Sequence, residues 1–337
     1  MIKKILYKIR ANRIGYQVGR KFLSTPFIVN SKLYNKIYDK KINKNIKKLD
    51  KEYPYGLEIG TTNICNAECI MCPHTKLKKM GTMDMKLYKK IIDNCKKLKI
   101  TAITLSFFGE PFIDKTIIEK IKYAKEKGMS VSFYSNASLL TKELSEKIIN
   151  AGLDHITISF DGATKETYEK IRKKLKFDVV KKNILTLIES KKRMRKNNPS
   201  ITLVLVELEE NRKEIKQFYH EWKDKVQNIN IINMRNWANQ ITKEGTKESL
   251  HFNKNKNRKP CALIWKELVV DWNGDVVLCN DDWNHSTILG NLKKQSIEEV
   301  WMGEKMRKIR DAHVKREFSK VPLCSKCNRK SVWWLID

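Results

Sequence analysis

Between residues 56 and 233, six short β-rich apolar runs alternate with amphipathic stretches of helical period. No other feature of the sequence constrains the fold as much. The runs are GLEIG (56–60), AITLSF (102–107), SVSFYS (130–135), HITISF (155–160), ITLVLV (201–206) and NINIIN (228–233). Between them lie MKLYKKIIDNCKKLK, TIIEKIKYAKEKG with its terminal Gly128, TKELSEKIINAG with Gly152, and FDVVKKNILTLIESKKRMRK, which carry the spacing and stop signals of helices. Strands separated by helices are joined by crossovers, so the sheet is expected to be parallel and the fold α/β. Six repeats suit a partial, open (βα)6 barrel. At 337 residues the chain can bury such a core without disulfide staples.

The flanks read differently. Residues 1–50 place apolar side chains (Ile5, Ile9, Ile14, Val18, Phe22) at helical spacing among lysines, followed by KKINKNIKKLDKEYP, which reads as a charged linker. This basic N-terminal helical extension is expected either to pack on the domain behind it or to touch a membrane surface or partner. After about residue 240, ELVVDWNGDVVLCN suggests two strands joined at Asn273-Gly274, the helical run SIEEVWMGEKMRKIRDAHV follows, and the chain closes on CSKCNRKSVWWLID. The expected organisation is an extension over 1–50, a core domain over 51–240 and a small α+β domain over 241–337.

A net charge of +31 raises the question of nucleic acid or anionic lipid. The excess is spread along the chain as lysine, and no aromatic-plus-basic ribonucleoprotein signature accompanies it, so no specific nucleic acid is expected. No stretch is apolar enough to span a membrane and no cleavage site follows the basic start, which gives a cytoplasmic reading.

Three of the eight cysteines crowd into ICNAECIMCPH (64–74) as Cys65, Cys69 and Cys72, a C-x3-C-x2-C set. A closed zinc site takes four ligands, whereas three thiolates on one loop suit a [4Fe-4S] cluster with one iron left open. The loop follows the first strand, at the edge where barrel sites are built. This loop and its placement resemble the radical S-adenosylmethionine (radical SAM) enzymes over roughly residues 54–240. The resemblance implies a partial (βα)6 barrel and SAM chelated at the open iron. Cleavage of SAM there yields a 5′-deoxyadenosyl radical, with a flavodoxin or ferredoxin-type protein as electron donor.

Further motifs carry the likeness. SFFGEP (106–111) is similar to the family's GGEP, with Phe108 in place of the first Gly, which assigns Gly109 and Glu110, the latter to the SAM ammonium. YSNAS (134–138) supplies Asn136, and SFDG (159–162) supplies Ser159 and Asp161 for the ribose hydroxyls. TYEKIR (167–172) resembles the family's next helix and assigns Arg172 to the SAM carboxylate, which a planar guanidinium can grip with two hydrogen bonds. Met71 stands where the family usually has an aromatic residue.

Cys261, Cys279, Cys324 and Cys327 form a second set, C-x17-C-x44-C-x2-C. Four thiolates can close either a second [4Fe-4S] cluster or a zinc site. Beside the first domain, the hairpin and its G-x4-C resemble the family's SPASM and Twitch extensions, in a single-cluster form. The spacing is similar to that of the family's aminocyclitol dehydrogenases. An auxiliary cluster fully ligated by protein implies electron transfer, which suits oxidation of a carbinol of a sugar, aminocyclitol or similar polyol. Two rivals stand beside this reading: a radical SAM maturase of ribosomally made peptides, and a nucleic-acid-binding protein holding about two zinc ions per chain. Cys95 reads as an ordinary thiol, His74 as a candidate donor beside the cluster loop, and Trp265, Trp272, Trp283 and Trp301 as packing around the small domain.

Overall fold

The computed structural model describes residues 31–235, 237, 238, 240 and 258–327. All six expected strands form: β1 (Gly56–Ile59), β3 (Ala102–Thr104), β4 (Ser130–Ser135), β5 (His155–Ser159), β7 (Ser200–Glu207) and β8 (Asn228–Asn233) pair in parallel, in that order, within one sheet. Two short strands, β2 (Glu68–Cys69) and β6 (Arg172–Lys173), pair with each other outside it. Leu57, Ile59, Ile103, Leu105, Val131, Phe133, Ile156, Ile158, Leu203 and Leu205 are buried, so the parallel strands carry the core. Helices start where side chains can satisfy their free N–H groups: Asp84 accepts from the Leu87 amide at 2.8 Å, and Thr141 and Thr164 do the same for Leu144 and Thr167.

The C-terminal segment does not stand apart from this sheet. Strands β9 (Glu267–Val270), β10 (Asp275–Val277) and β11 (Ile288–Asn291) form an antiparallel meander, and β9 pairs in parallel with β1. The Asn273-Gly274 turn forms as expected, closed by the Gly274 amide donating to the Asp271 carbonyl at 2.8 Å. One nine-stranded sheet therefore runs from β11 to β8. Both chain segments that carry a cysteine set are rooted in it.

Three local expectations change. The stretch read as a charged linker is largely helix: α1 spans Lys32–Leu49, with Ile42 and Ile46 buried one turn apart. Asp39 on this helix pairs with Lys259 and Arg316, each at 2.7 Å, and Asp50 accepts from the Trp265 indole. Burial of two isoleucines outweighs the many lysines, whose charged ends stay in water. The expected apolar run over residues 5–22 lies outside the described residues. Second, the helical run after residue 296 divides into Ile297–Trp301, opened by a capping box between Ser296 and Glu299, and Glu304–Val314, with Gly303 at the break. Third, Arg172 is not on the helix Lys165–Ile171 but is the first residue of β6. The tryptophans pack: Trp265 and Trp301 are fully buried, and Trp301 donates to the Glu52 carbonyl. Cys95 is a buried core thiol. Among the described residues no helix is long and apolar enough to cross a membrane.

Candidate active site

Cys65, Cys69 and Cys72 lie on the loop that leaves the C-terminal end of β1. Asn63 secures its root. Its side chain donates to the Lys79 carbonyl and accepts from the Gly81 amide, while its own carbonyl accepts from His74 Nε2 at 2.8 Å. His74 thus braces the loop through the backbone. The β2–β6 ribbon sets Cys69 opposite Arg172, and Met71, Ile171 and Leu208 form a small separate core beneath it.

Each of the three sulfurs meets an N–H donor. The Ala67 amide points at Cys65, the His74 amide at Cys72, and Arg172 Nη1 lies 3.3 Å from Cys69 Sγ. Burial pushes the Cys65 thiol up to about 11 and the Cys72 thiol up to about 12, and each of the two is raised further by the Cys69 thiol. Thiols held protonated in this way give up their protons to an incoming cation, which replaces the proton and restores the charge balance. Three thiols on one loop, near enough to act on one another and each with a donor for its ligated form, have the chemistry an iron–sulfur cluster takes.

The residues assigned to SAM gather around this loop. Gly109 has φ +111° and its backbone lies against Thr62 and Asn63, while the Glu110 amide donates to the Ile64 carbonyl. Glu110 is 1% exposed and accepts from the Ser135 hydroxyl (2.8 Å), the Asn136 amide (2.7 Å) and the Phe112 amide (3.3 Å). Burial outweighs these donors and lifts its carboxyl to about 7. Asn136 bonds to Asn66, the residue after the first cysteine, and Asn66 in turn donates to Ser138, which closes a ring back to Asn136. Ser159 ends β5, half-buried. Asp161 is wholly buried: Oδ2 accepts from Arg172 Nε at 2.5 Å and Oδ1 from the Val206 amide at 2.6 Å. Its oxygens face Arg172 and β7, so what Asp161 does here is hold Arg172.

In the second cysteine set, Cys261, Cys324 and Cys327 lie near enough to act on one another. Cys261 caps a 3-10 turn (Ala262–Trp265), and Cys324 and Cys327 belong to the turn that closes the described chain. Burial raises the Cys324 thiol, and the neighbouring Cys261 and Cys327 thiols raise it further. Cys279 joins through its own turn: the Asp282 amide donates to its carbonyl, and the Asp282 carboxylate also acts on Cys324. His313 Nδ1 accepts from the Cys261 amide at 3.1 Å, which leaves its proton on Nε2. Among the described residues, that nitrogen and Trp283 Nε1 are buried without a hydrogen-bond partner. Four thiols carried on the turns of one small domain have the chemistry of a fully ligated iron–sulfur centre. All eight cysteines are free thiols.

Residues 59–221 match the radical SAM superfamily, and residues 261–328 match the SPASM iron-sulfur cluster-binding domain. The chain is a radical SAM enzyme with a SPASM domain. Iron–sulfur clusters and SAM are therefore its cofactors. The S-adenosyl-L-methionine-dependent 2-deoxy-scyllo-inosamine dehydrogenase of Niallia circulans is 22% identical over 287 residues, covering 82% of this chain and 93% of the relative. Among solved structures, BtrN in complex with AdoMet and 2-DOIA aligns with TM-score 0.55 and 18% identity over 82% of this chain and 94% of that one. Streptococcus suis SuiB bound to precursor peptide SuiA aligns with TM-score 0.64 and 14% identity over 86% and 75%.

Several residues take contacts that the sequence motifs did not assign them. Asn66 and Ser138 tie the cluster loop to the end of β4. Asn211 donates to the Asp161 and Val206 carbonyls, and Glu214 accepts from Ala163, Thr164 and Thr167, so the NRKE segment after β7 clasps the loop that carries Asp161. At the mouth of the barrel, His285 Nε2 lies 2.9 Å from Asp271 and its ring faces Phe107, while Arg235 at the end of β8 reaches Asp281 at 3.3 Å. Asn66 and Ser138 lay inside quoted motifs without an assigned role; Asp271 and Arg235 had only their place just beyond a strand end as a signal.

Proposed function

We propose that this enzyme oxidises a carbinol carbon of a small hydroxyl-rich molecule, a sugar, polyol or aminocyclitol. Cys65, Cys69 and Cys72 would hold the SAM-binding [4Fe-4S] cluster, and Cys261, Cys279, Cys324 and Cys327 an auxiliary one. Bound together, the first cluster and SAM supply a hydrogen-abstracting 5′-deoxyadenosyl radical, and the auxiliary cluster supplies an electron acceptor. Glu110 and Asn136 would orient the SAM amino-acid end and Ser159 its ribose.

The observation that carries this reading is a set of polar and charged groups from both domains at or just beyond strand ends. Arg235 pairs with Asp281 at 3.3 Å and its charge acts on Tyr134 of β4, while His285 lies 2.9 Å from Asp271, the residue that follows β9 where β9 runs beside β1. Alternating donors and acceptors of this kind suit a ligand rich in hydroxyl groups. Asp271 raises the proton affinity of His285, so the imidazole stays cationic further into neutral pH. The near full-length likeness to a SAM-dependent aminocyclitol dehydrogenase supports the same substrate class.

The test is anaerobic reconstitution, reduction in the presence of SAM, and a panel of carbon-deuterated polyols and aminocyclitols beside synthetic peptides. Deuterium is expected in 5′-deoxyadenosine from a polyol or aminocyclitol. Label arriving only from peptides would replace this reading with the maturase one.

Glu110 adds a pH prediction. An ammonium partner requires its carboxylate form, and burial raises its carboxyl to about 7. The affinity for SAM is therefore expected to fall as pH drops below about 7, approaching tenfold per unit. Equilibrium binding from pH 5.5 to 8 checks this, and a profile flat through that range removes Glu110 from the ammonium's contacts.

A further inference from the structure

We propose that Arg172, aimed by Asp161, sets the reduction potential of the centre held by the Cys65–Cys72 loop by donating a charged N–H to the Cys69 sulfur. The inference rests on the cluster assignment above and concerns only this chain's own residues around it.

Geometry fixes the arginine from three sides. Its backbone pairs with Cys69 in the β2–β6 ribbon, and the neighbouring Ile70 amide donates to the Ile171 carbonyl at 3.0 Å. Its Nε is bonded to Asp161 at 2.5 Å, while Asp161 is itself anchored by the Val206 amide and, through its carbonyl, by Asn211. With Nε and backbone fixed, the rigid guanidinium fork has one orientation, and Nη1 reaches Cys69 Sγ at 3.3 Å. Cys65 and Cys72 receive backbone amides; Cys69 receives a full positive charge.

Hydrogen bonds to cluster sulfurs and nearby charge are among the means by which a protein sets the potential of such a centre. One-electron reduction adds a negative charge to the centre, and a fixed cation at its ligand stabilises the reduced form. The Arg172 side chain is 12% exposed, so water screens this effect little. Asp161 acts in the opposite sense, as a buried anion that partly offsets the cation while holding it in place.

The test is a redox titration of the reconstituted protein without SAM, against a low-potential chemical reductant. The loop centre is followed through that part of the reduced-state EPR spectrum which SAM alters in a parallel sample. Arg172→Gln is expected to lower the ratio of reduced to oxidised centre at fixed potential at least tenfold, a downward shift of about 59 mV or more for one electron. Asp161→Asn is expected to raise the ratio. Should Arg172→Gln not fold, Arg172→Lys keeps the charge but not the aimed N–H, and a smaller fall is expected. Potentials that ignore these substitutions, or move the same way in Arg172→Gln and Asp161→Asn as general disturbance would cause, overturn the inference. A wild-type protein that holds no iron and sulfide on this loop instead overturns the cluster assignment, so the two failures are distinguishable.

Discussion

Replacing Cys65, Cys69 and Cys72 together by alanine is expected to lower the iron of anaerobically reconstituted protein from about eight to about four per chain, one cluster's worth. Formation of 5′-deoxyadenosine from SAM is expected to disappear entirely. The two cysteine sets are rooted in different segments, the first after β1 and the second in the SPASM domain, so loss of one leaves the other's ligands in place. The loop does not depend on its cysteines for shape: Asn63, His74, the β2–β6 ribbon and the small core of Met71, Ile171 and Leu208 all persist in the variant. Far-UV circular dichroism is therefore expected to match wild type. The reciprocal substitution of Cys324 and Cys327 is expected to remove the other half of the iron while nucleoside formation continues. Iron and sulfide counts with chromatographic detection of the nucleoside check both. A triple variant that keeps its full iron or still forms nucleoside would detach SAM chemistry from this loop.

What could be read in the sequence is what depends on local pattern. The inner parallel strands appear as apolar runs because buried parallel strands need such runs, whereas β8 (NINIIN) is a largely exposed edge strand, and the three-cysteine loop carries its meaning in its own spacing. Interactions that join distant segments left no such trace. The pairing of β9 with β1 brings together residues more than two hundred apart, and nothing near Leu268 marks it. Arg172 could be selected by motif but not placed, because β6 is two residues long and exists only through its pairing with Glu68 and Cys69. The same holds for Asp161. Its position beyond β5 was legible, but its commitment to Arg172 and the Val206 amide depends on how β7 ends. For α1 the lysines obscured the pattern: Ile42 and Ile46 occupy one face of a turn that has a partner only once the C-terminal domain is folded beside it.

Gly109→Ala is the single substitution expected to damage the site most without touching a ligand. With φ at +111°, residue 109 sits where an L side chain is strained, and a Cβ placed there would come within 2.4 Å of the Thr62 carbonyl oxygen and within 3.0 Å of the Asn63 backbone. These neighbours are backbone at the root of the cluster loop and cannot rotate away. The clash can be relieved in two ways: by pushing residues 62–64 outward, or by turning Glu110 out of its contacts with Ser135 and Asn136. Either displaces groups that meet around Cys65. The expected cost is about 3 kcal/mol or more of stability, the sum of backbone strain and lost buried hydrogen bonds. Gly128→Ala is the matched control. It has φ +83° at the end of the helix Ile117–Glu126, but its Cβ would meet nothing within 4 Å, so it bears the conformational penalty alone, about 1–2 kcal/mol. Urea melts of the two variants separate strain from contact, and iron retention shows whether the loop has moved. Equal destabilisation of the two, with normal cluster content in Gly109→Ala, would mean that the close approach of residue 109 to the loop root does not shape the site.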